Sequence, residues 1–317
     1  MKEKIIKNVK TRIAPTPSGL LHLGNIFSFV LTWVLAKKEG GSVHLRIDDL
    51  DEVRKRKIYL EDIFQTLKWL NLEWDFGPSG VEDFEKNYSQ KYRLELYKKS
   101  VKKLLGSNAG IFSCDCSRSE VKKNSPDGLY TGACRNTEFQ RKDGFAFRIK
   151  TENPTLINFQ DELLGRVELD IYQHIRDFVI KRKDGNPAYQ VASLVDDIND
   201  GINLIVRGKD LLPSTAAQLF LAQKLNENQF IENRFFHHPL ILENPGDKLS
   251  KSHQSLSINY LRESNVSSAK VFETIGEWMN IKAKKIDSLN SLLEEFQLTE
   301  LPKNAIYFRN SVLGNTY

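Results

Sequence analysis

The chain has 317 residues, of which 40% are hydrophobic and 27% charged, with a formal net charge of +5. That is enough apolar material for a large buried core. The longest apolar block, 27–36, is too short to span a bilayer, and the start Met1-Lys2-Glu3-Lys4 is charged where a leader would be apolar, so a cytoplasmic protein with no membrane contact is expected, in keeping with a charge that permits nucleic acid without demanding it.

In chain order, 9–14 and 42–47 are β-branched or apolar runs that predict strands, separated by a predicted helix over 26–38. Helical periodicity continues over 58–70 and 88–105. Between about Gly110 and Asp170 the pattern is broken by Pro126, Gly128, Gly132, Gly144 and Pro154, as an insertion would be. Strands over 177–181 and 203–206 and helices over 190–198 and 211–225 follow, and helices over 269–279 and 289–296 close the chain. Strands alternating with helices imply an α/β fold, a parallel sheet wrapped by helices, which binds ligands beyond the carboxyl ends of its strands. The expected organisation is a first half over 1–110, an inserted subdomain over 111–174, a second half over 175–255 and a short helical cap over 256–317, with a monomer expected.

Two runs carry most of the chemistry. Pro17-Ser18-Gly19-Leu20-Leu21-His22-Leu23-Gly24-Asn25 lies where the first strand turns into the first helix, and small residues there let backbone approach phosphates at the positive end of a helix dipole. Lys248-Leu249-Ser250-Lys251-Ser252 sets two lysines three apart beside hydroxyls, suited to a triphosphate whose charge grows during transfer. Taken alone, neither run is strong evidence, since a lone His-x-Gly is frequent by chance and a Lys-x-Ser-Lys-Ser run is more often a solvated loop. The three cysteines, Cys114, Cys116 and Cys134, cluster inside the irregular region. Their odd number argues against a disulfide framework and suggests a metal, while buried reduced thiols beside a packed aromatic remain the alternative.

In combination the motifs resemble class I glutamyl-tRNA synthetases. The run from Thr11 through Asn25 is similar to the family's "HIGH" region and Lys248 to Ser252 to its "KMSKS" loop. Between them, Arg46-Ile47-Asp48-Asp49-Leu50-Asp51 resembles the family's Arg-Ile-Glu-Asp-x-Asp, and Ala188-Tyr189-Gln190 through Val206-Arg207-Gly208-Lys209-Asp210-Leu211-Leu212 its substrate-pocket segment. The resemblance covers Val9 to Ser252 and implies a Rossmann-type catalytic domain with an insertion. The stretch after Ser252 is too short for the family's large helical anticodon-binding region, and the Cys-x-Cys, Tyr, x3-Cys pattern is similar to that of the truncated branch of the family, the glutamyl-Q tRNA(Asp) synthetases. That branch implies activation of L-glutamate with ATP and Mg²⁺ and its transfer to the queuosine base in the anticodon loop of tRNA(Asp). A compact synthetase charging a tRNA 3′ end and a non-catalytic pseudo-synthetase are the competing readings.

The resemblance also assigns residues. Arg12 and Arg207 would grip carboxylates, Ile13, Ala14, Pro15 and Thr16 would line the amino-acid pocket, and Tyr189 would add a hydroxyl. Asp48 stands where the family has Glu and would face the ammonium, unless it merely pairs with Arg46. His22, Gly24 and Asn25 would meet ATP, and Lys248 and Lys251 would neutralise the leaving pyrophosphate. Cys114, Cys116, Tyr130 and Cys134 would hold a structural Zn²⁺.

Overall fold

The computed structural model describes residues 8–107, 109–138, 144–244, 247–248, 257–282 and 285–308. Its first strand, β1 (Lys10–Ile13), pairs in parallel with β2 (Ser42–Leu45) across the intervening helix Leu23–Lys38. That helix is apolar nearly all round, from Leu23 and Ile26 to Leu35 and Ala36, and is accordingly buried; Lys37 and Lys38 sit in its last turn, where cations suit the dipole. It begins three residues before the sequence pattern predicts, because His22 takes the extended N-cap conformation and its amide donates to Asn25 Oδ1 at 3.1 Å.

The predicted helix over 88–105 is broken. A π turn, Phe84–Tyr88, and a 3-10 turn, Gln90–Arg93, precede the regular helix Leu94–Gly106. Ser89 is extended at the break because its hydroxyl donates to Asp49 Oδ2 at 2.7 Å while the Gln90 amide donates to Asp49 Oδ1 at 2.8 Å, so a tertiary carboxylate outcompetes helix continuation.

The irregular region contains β3 (Ile111–Cys114), β4 (Ala146–Ile149) and the hairpin β5 (Leu156–Asp161) and β6 (Gly165–Asp170), none of which the sequence pattern predicts. Beyond it lie β7 (Phe178–Lys181), β8 (Leu204–Gly208), β9 (Arg234–His238), β10 (Ile241–Asn244), β11 (Asp247–Lys248) and β12 (Ile306–Tyr307). Strands β3, β4 and β7 form a small antiparallel sheet. The larger sheet has the order β6-β5-β9-β8, parallel except at the β5–β6 hairpin. β1 runs beside β8: the Asn203 amide donates to Lys10 O at 3.0 Å and the Thr11 hydroxyl to Leu204 O at 2.8 Å. The carboxyl ends of β1, β2 and β8 therefore open on one side, as the α/β reading requires of a ligand site.

The helices Ile258–Glu263, Ser268–Trp278 and Leu289–Glu295 pack on the same core as the first helix, with Trp278 edge-on to Phe27 at 5.9 Å. Among the described residues no helix is long and apolar enough to cross a membrane.

Candidate active site and cysteine lobe

A cleft of about 560 Å³ lies at those strand ends. Of the amino-acid and nucleotide residues singled out above, Arg12 to Thr16, His22, Gly24, Asn25, Asp48, Tyr189 and Arg207 line it. The turn before the first helix supplies His22, whose ring lies so close over Gly24 that a Cβ there would sit 3.1 Å from its Nδ1 and Cε1. Lys248 lies in β11, paired with Leu242; Lys251 lies outside the described residues. Just beyond, Ser257 bridges to His22 and the Ile258 amide donates to Leu21 O at 2.8 Å, so the segment following the lysine run returns to the histidine turn.

The cleft floor is a buried ion cluster. The helix Tyr189–Asn199 presents Tyr189, Ser193 and Asp197 four residues apart on one face, with Asp196 beside them. Asp197 accepts from Arg12 Nε at 2.8 Å and Arg46 Nη1 at 2.6 Å, and lies 4.0 Å from Arg207 Nη2. Arg46 also grips Asp48, at 2.8 Å from Nε and 3.3 Å from Nη2, and donates to Ser193 Oγ at 3.3 Å. Asp196 accepts from Gln90, Arg93 and the Tyr97 hydroxyl at 2.7 to 3.2 Å. Asp48 thus pairs with Arg46 and also lines the cleft; the two placements are compatible.

Compensation within this cluster is uneven. Burial works to raise the Asp197 pKa, but Arg12 and Arg46 outweigh it and hold the carboxyl below its usual value. For Asp48, burial wins over Arg46, with Asp196 and Asp197 adding to it, and the pKa is raised. For Arg207, burial and the neighbouring guanidiniums of Arg12 and Arg46 lower the pKa despite Tyr189 and Asp197. Arg207 Nη1 donates to Gln218 Oε1 at 2.9 Å and Thr215 Oγ1 at 3.3 Å, whereas Nη2, buried, finds no hydrogen-bond acceptor among the described residues. One acid and one guanidinium of the cleft are therefore under-compensated, which suits a ligand carrying an ammonium and a carboxylate.

A second cleft, of about 760 Å³, shares Thr16, Asp48, Arg54 and Tyr189 with the first and extends to Cys116, Arg148, Arg182 and Lys183. Beside it, the Sγ atoms of Cys114, Cys116 and Cys134 lie within 4.8 Å of one another. Tyr130 is packed against them: its hydroxyl accepts from the Cys134 amide at 2.7 Å and stands 3.6 Å from Cys114 Sγ. Burial and the neighbouring thiols push the Cys116 pKa up to about 12, whereas at Cys114 hydrogen bonds from Tyr130 and Arg148 overcome burial and lower it. Three converging thiols with a phenol oxygen at their edge fit a tetrahedral zinc donor set.

The chain matches the family described as tRNA synthetases class I (E and Q), catalytic domain, over residues 8–314. It belongs to that family. It is 32% identical over 320 residues to a glutamate–tRNA ligase of Sulfurihydrogenibium sp., covering 96% of this chain and 66% of that relative. It is 36% identical over 276 residues to a glutamyl-Q tRNA(Asp) synthetase of Nitratidesulfovibrio vulgaris, covering 83% of this chain and 84% of that relative. The chain thus spans about two thirds of the length of the glutamate–tRNA ligase it matches. A solved glutamate–tRNA synthetase of Elizabethkingia anophelis has the same fold, with a TM-score of 0.79 at 23% identity over 97% of this chain and 69% of that one.

This synthetase family activates glutamate with ATP and Mg²⁺ and binds tRNA. Several residues that shape the class I cleft escape the sequence reading. Ser193, Asp196 and Asp197 are not singled out by it, although two adjacent aspartates on an otherwise apolar helix face are a usable signal of buried cation partners. Gln218 and Thr215 carry no such signal, since only the packing of their helix against β8 and β9 turns them toward Arg207.

Proposed function

We propose that this chain forms glutamyl-adenylate from L-glutamate and ATP without tRNA and transfers the glutamyl group to the queuosine base in the anticodon loop of tRNA(Asp). The observation that carries amino-acid binding is a cleft lined by both Asp48 and Arg207, with Arg207 Nη2 buried and without an acceptor among the described residues. The ammonium sits at Asp48 with Tyr189, and the carboxylates meet Arg207 and the outer N–H groups of Arg12. Ile13, Ala14, Pro15 and Thr16 form the wall between them.

Activation is an in-line attack of a glutamate carboxylate oxygen on the α-phosphorus of ATP with departure of pyrophosphate, so it needs placement and charge stabilisation and no enzyme nucleophile. The helix N-terminus offers the Gly24 backbone N–H and the Asn25 side-chain amide to phosphate oxygens, His22 donates beside them, and Lys248 and Lys251 neutralise the pyrophosphate. Mg²⁺ enters with ATP and screens its charge. Transfer to queuosine, rather than to a tRNA 3′ end, is supported by the glutamyl-Q tRNA(Asp) synthetase relative, most of whose own length is shared with this chain, and by the second cleft, which opens from the amino-acid site toward the cysteine lobe with Arg148, Arg182 and Lys183 on its walls. A splayed anticodon-loop base suits such an opening. The second reading, a glutamate–tRNA ligase, draws support from the 96% of this chain that aligns with one.

Glutamate should promote exchange of labelled pyrophosphate into ATP without tRNA, and glutamine and aspartate should not, because an amide leaves a buried guanidinium without its anion and a side chain one methylene shorter does not bring its carboxylate to it. Equal exchange with all three would overturn the pocket assignment. The Cys114, Cys116, Cys134 and Tyr130 set would hold a structural Zn²⁺ that ties the lobe together. Metal analysis should find about one zinc per chain, lost in Cys134→Ser, as expected of a site built from three thiolates; zinc-free protein, or a variant that keeps its zinc, would remove the site.

A further inference from the structure

Three buried side chains connect Arg207 to the end of β5: Thr215 on the helix Leu212–Leu225, His237 on β9 and Asp161. All three are 0% exposed, and none lines either cleft. Asp161 Oδ1 accepts from the amides of Leu163 at 3.0 Å and Leu164 at 2.8 Å, while Oδ2 accepts from the His237 amide at 3.0 Å and stands 2.7 Å from His237 Nδ1. Donors converging on both oxygens define an ionised carboxylate and place the ring proton on Nδ1. His237 Nε2, 2.7 Å from Thr215 Oγ1, is then an acceptor and receives the hydroxyl's hydrogen bond. The threonine oxygen turns its lone pairs to Arg207 Nη1 at 3.3 Å, which Gln218 Oε1 also receives at 2.9 Å. Burial lowers the His237 pKa, which keeps Nε2 unprotonated. Every proton in the line thus points the same way, from Arg207 to Asp161. With the other tautomer, Nε2–H would donate to Thr215 and its hydroxyl hydrogen would face the guanidinium, donor against donor.

We propose that Asp161, His237 and Thr215 are positioning residues that act through Arg207: their fixed proton order holds Nη1 in place and so fixes the guanidinium, whose Nη2 has no acceptor among the described residues, to receive a glutamate carboxylate. The proposal rests on the reading that the cleft binds glutamate. Its substance is that affinity for one substrate is set by side chains that never touch it, whereas ATP, held elsewhere in the cleft, is indifferent to them.

Thr215→Val keeps the shape and deletes the hydroxyl. In pyrophosphate exchange it should raise KM for glutamate about tenfold, the order expected when a buried charge-assisted hydrogen bond is lost, with kcat and KM for ATP changed less than about twofold. Thr215→Ser should return KM to within about twofold of wild type. An unchanged glutamate KM in Thr215→Val, or an equal rise for ATP, would overturn the proposal. Nitrogen-15 NMR of histidine-labelled protein, with His237 assigned by comparison with His237→Gln, should show the neutral Nδ1–H tautomer in wild type and the Nε2–H tautomer in Asp161→Asn. Protonation of Nε2 in wild type would overturn the relay. If wild type gives no glutamate-dependent exchange, the glutamate reading falls, and the tautomer still decides the relay. If Asp161→Asn fails to fold, the Thr215 pair and the wild-type tautomer decide it.

Discussion

Arg207→Lys should lower kcat/KM for glutamate in tRNA-independent pyrophosphate exchange by about 10²- to 10³-fold, because truncating one member of a buried, hydrogen-bonded charge pair costs several kcal/mol. The substitution keeps a positive charge at this position and removes the planar fork. Arg207, which lines the cleft, uses one terminal nitrogen to reach Gln218 and Thr215, and its other terminal nitrogen has no acceptor among the described residues. A lysine ammonium is a single point of charge that cannot serve both directions from a fixed guanidinium plane. Because the surrounding cluster already holds Arg12 and Arg46, the loss is one of geometry more than of charge. A value of kcat/KM within about threefold of wild type would show that the carboxylate binds elsewhere.

Asp197→Ala should destabilise the protein by about 3–5 kcal/mol in urea unfolding, the range for removing one partner of a buried ion cluster. Asp197 is fully buried and is the common acceptor of Arg12 and Arg46, with Arg207 at 4.0 Å, so its truncation leaves three guanidiniums in apolar surroundings with Asp48 and the already committed Asp196. The pH dependence has a definite sign. The folded-state pKa of Asp197 is lowered relative to its usual value, so its stabilisation is complete above about 4, the unfolded value, and is lost as pH falls through the lower folded value. The gap between wild type and variant should therefore be constant at neutral pH and close only in strong acid. A loss below about 1 kcal/mol at pH 7 would place the three arginines in water rather than in a buried cluster.

The parts of the fold readable in the sequence are those where local pattern and tertiary demand agree. The first helix is apolar except on the face of Asn25, Ser28 and Thr32 that lines the cleft and is buried accordingly, and the turn at His22 lies where a strand run meets that helix. The hairpin β5–β6 is different. Ile157 and Asp161 face inward while Leu156, Asn158 and Gln160 face out, so a period of two is present, but the inward partner at its end is an aspartate and the outward series opens with a leucine. A buried Asp161 makes sense only once His237, far along the chain, is brought beside it. β9 is masked likewise, since two histidines follow Phe235 and Phe236 and all four are buried. Most of the residues that line the cleft are legible from short motifs, whereas those that hold them, Asp197 and Thr215 above all, depend on contacts across more than one element. The break at Ser89 has the same origin, a distant carboxylate that local periodicity does not contain.

The most direct test of the proposed function is the site of attachment on RNA. Labelled glutamate, ATP and the enzyme should be given tRNA(Asp) from which the 3′ terminal adenosine has been removed enzymatically, prepared with and without queuosine. Loop bases can be splayed into a protein pocket, and the 3′ ribose is not required for that chemistry. Label should attach to the trimmed, queuosine-containing RNA and not to its queuosine-free counterpart; attachment only to RNA with an intact 3′ end, whether or not queuosine is present, would contradict the account.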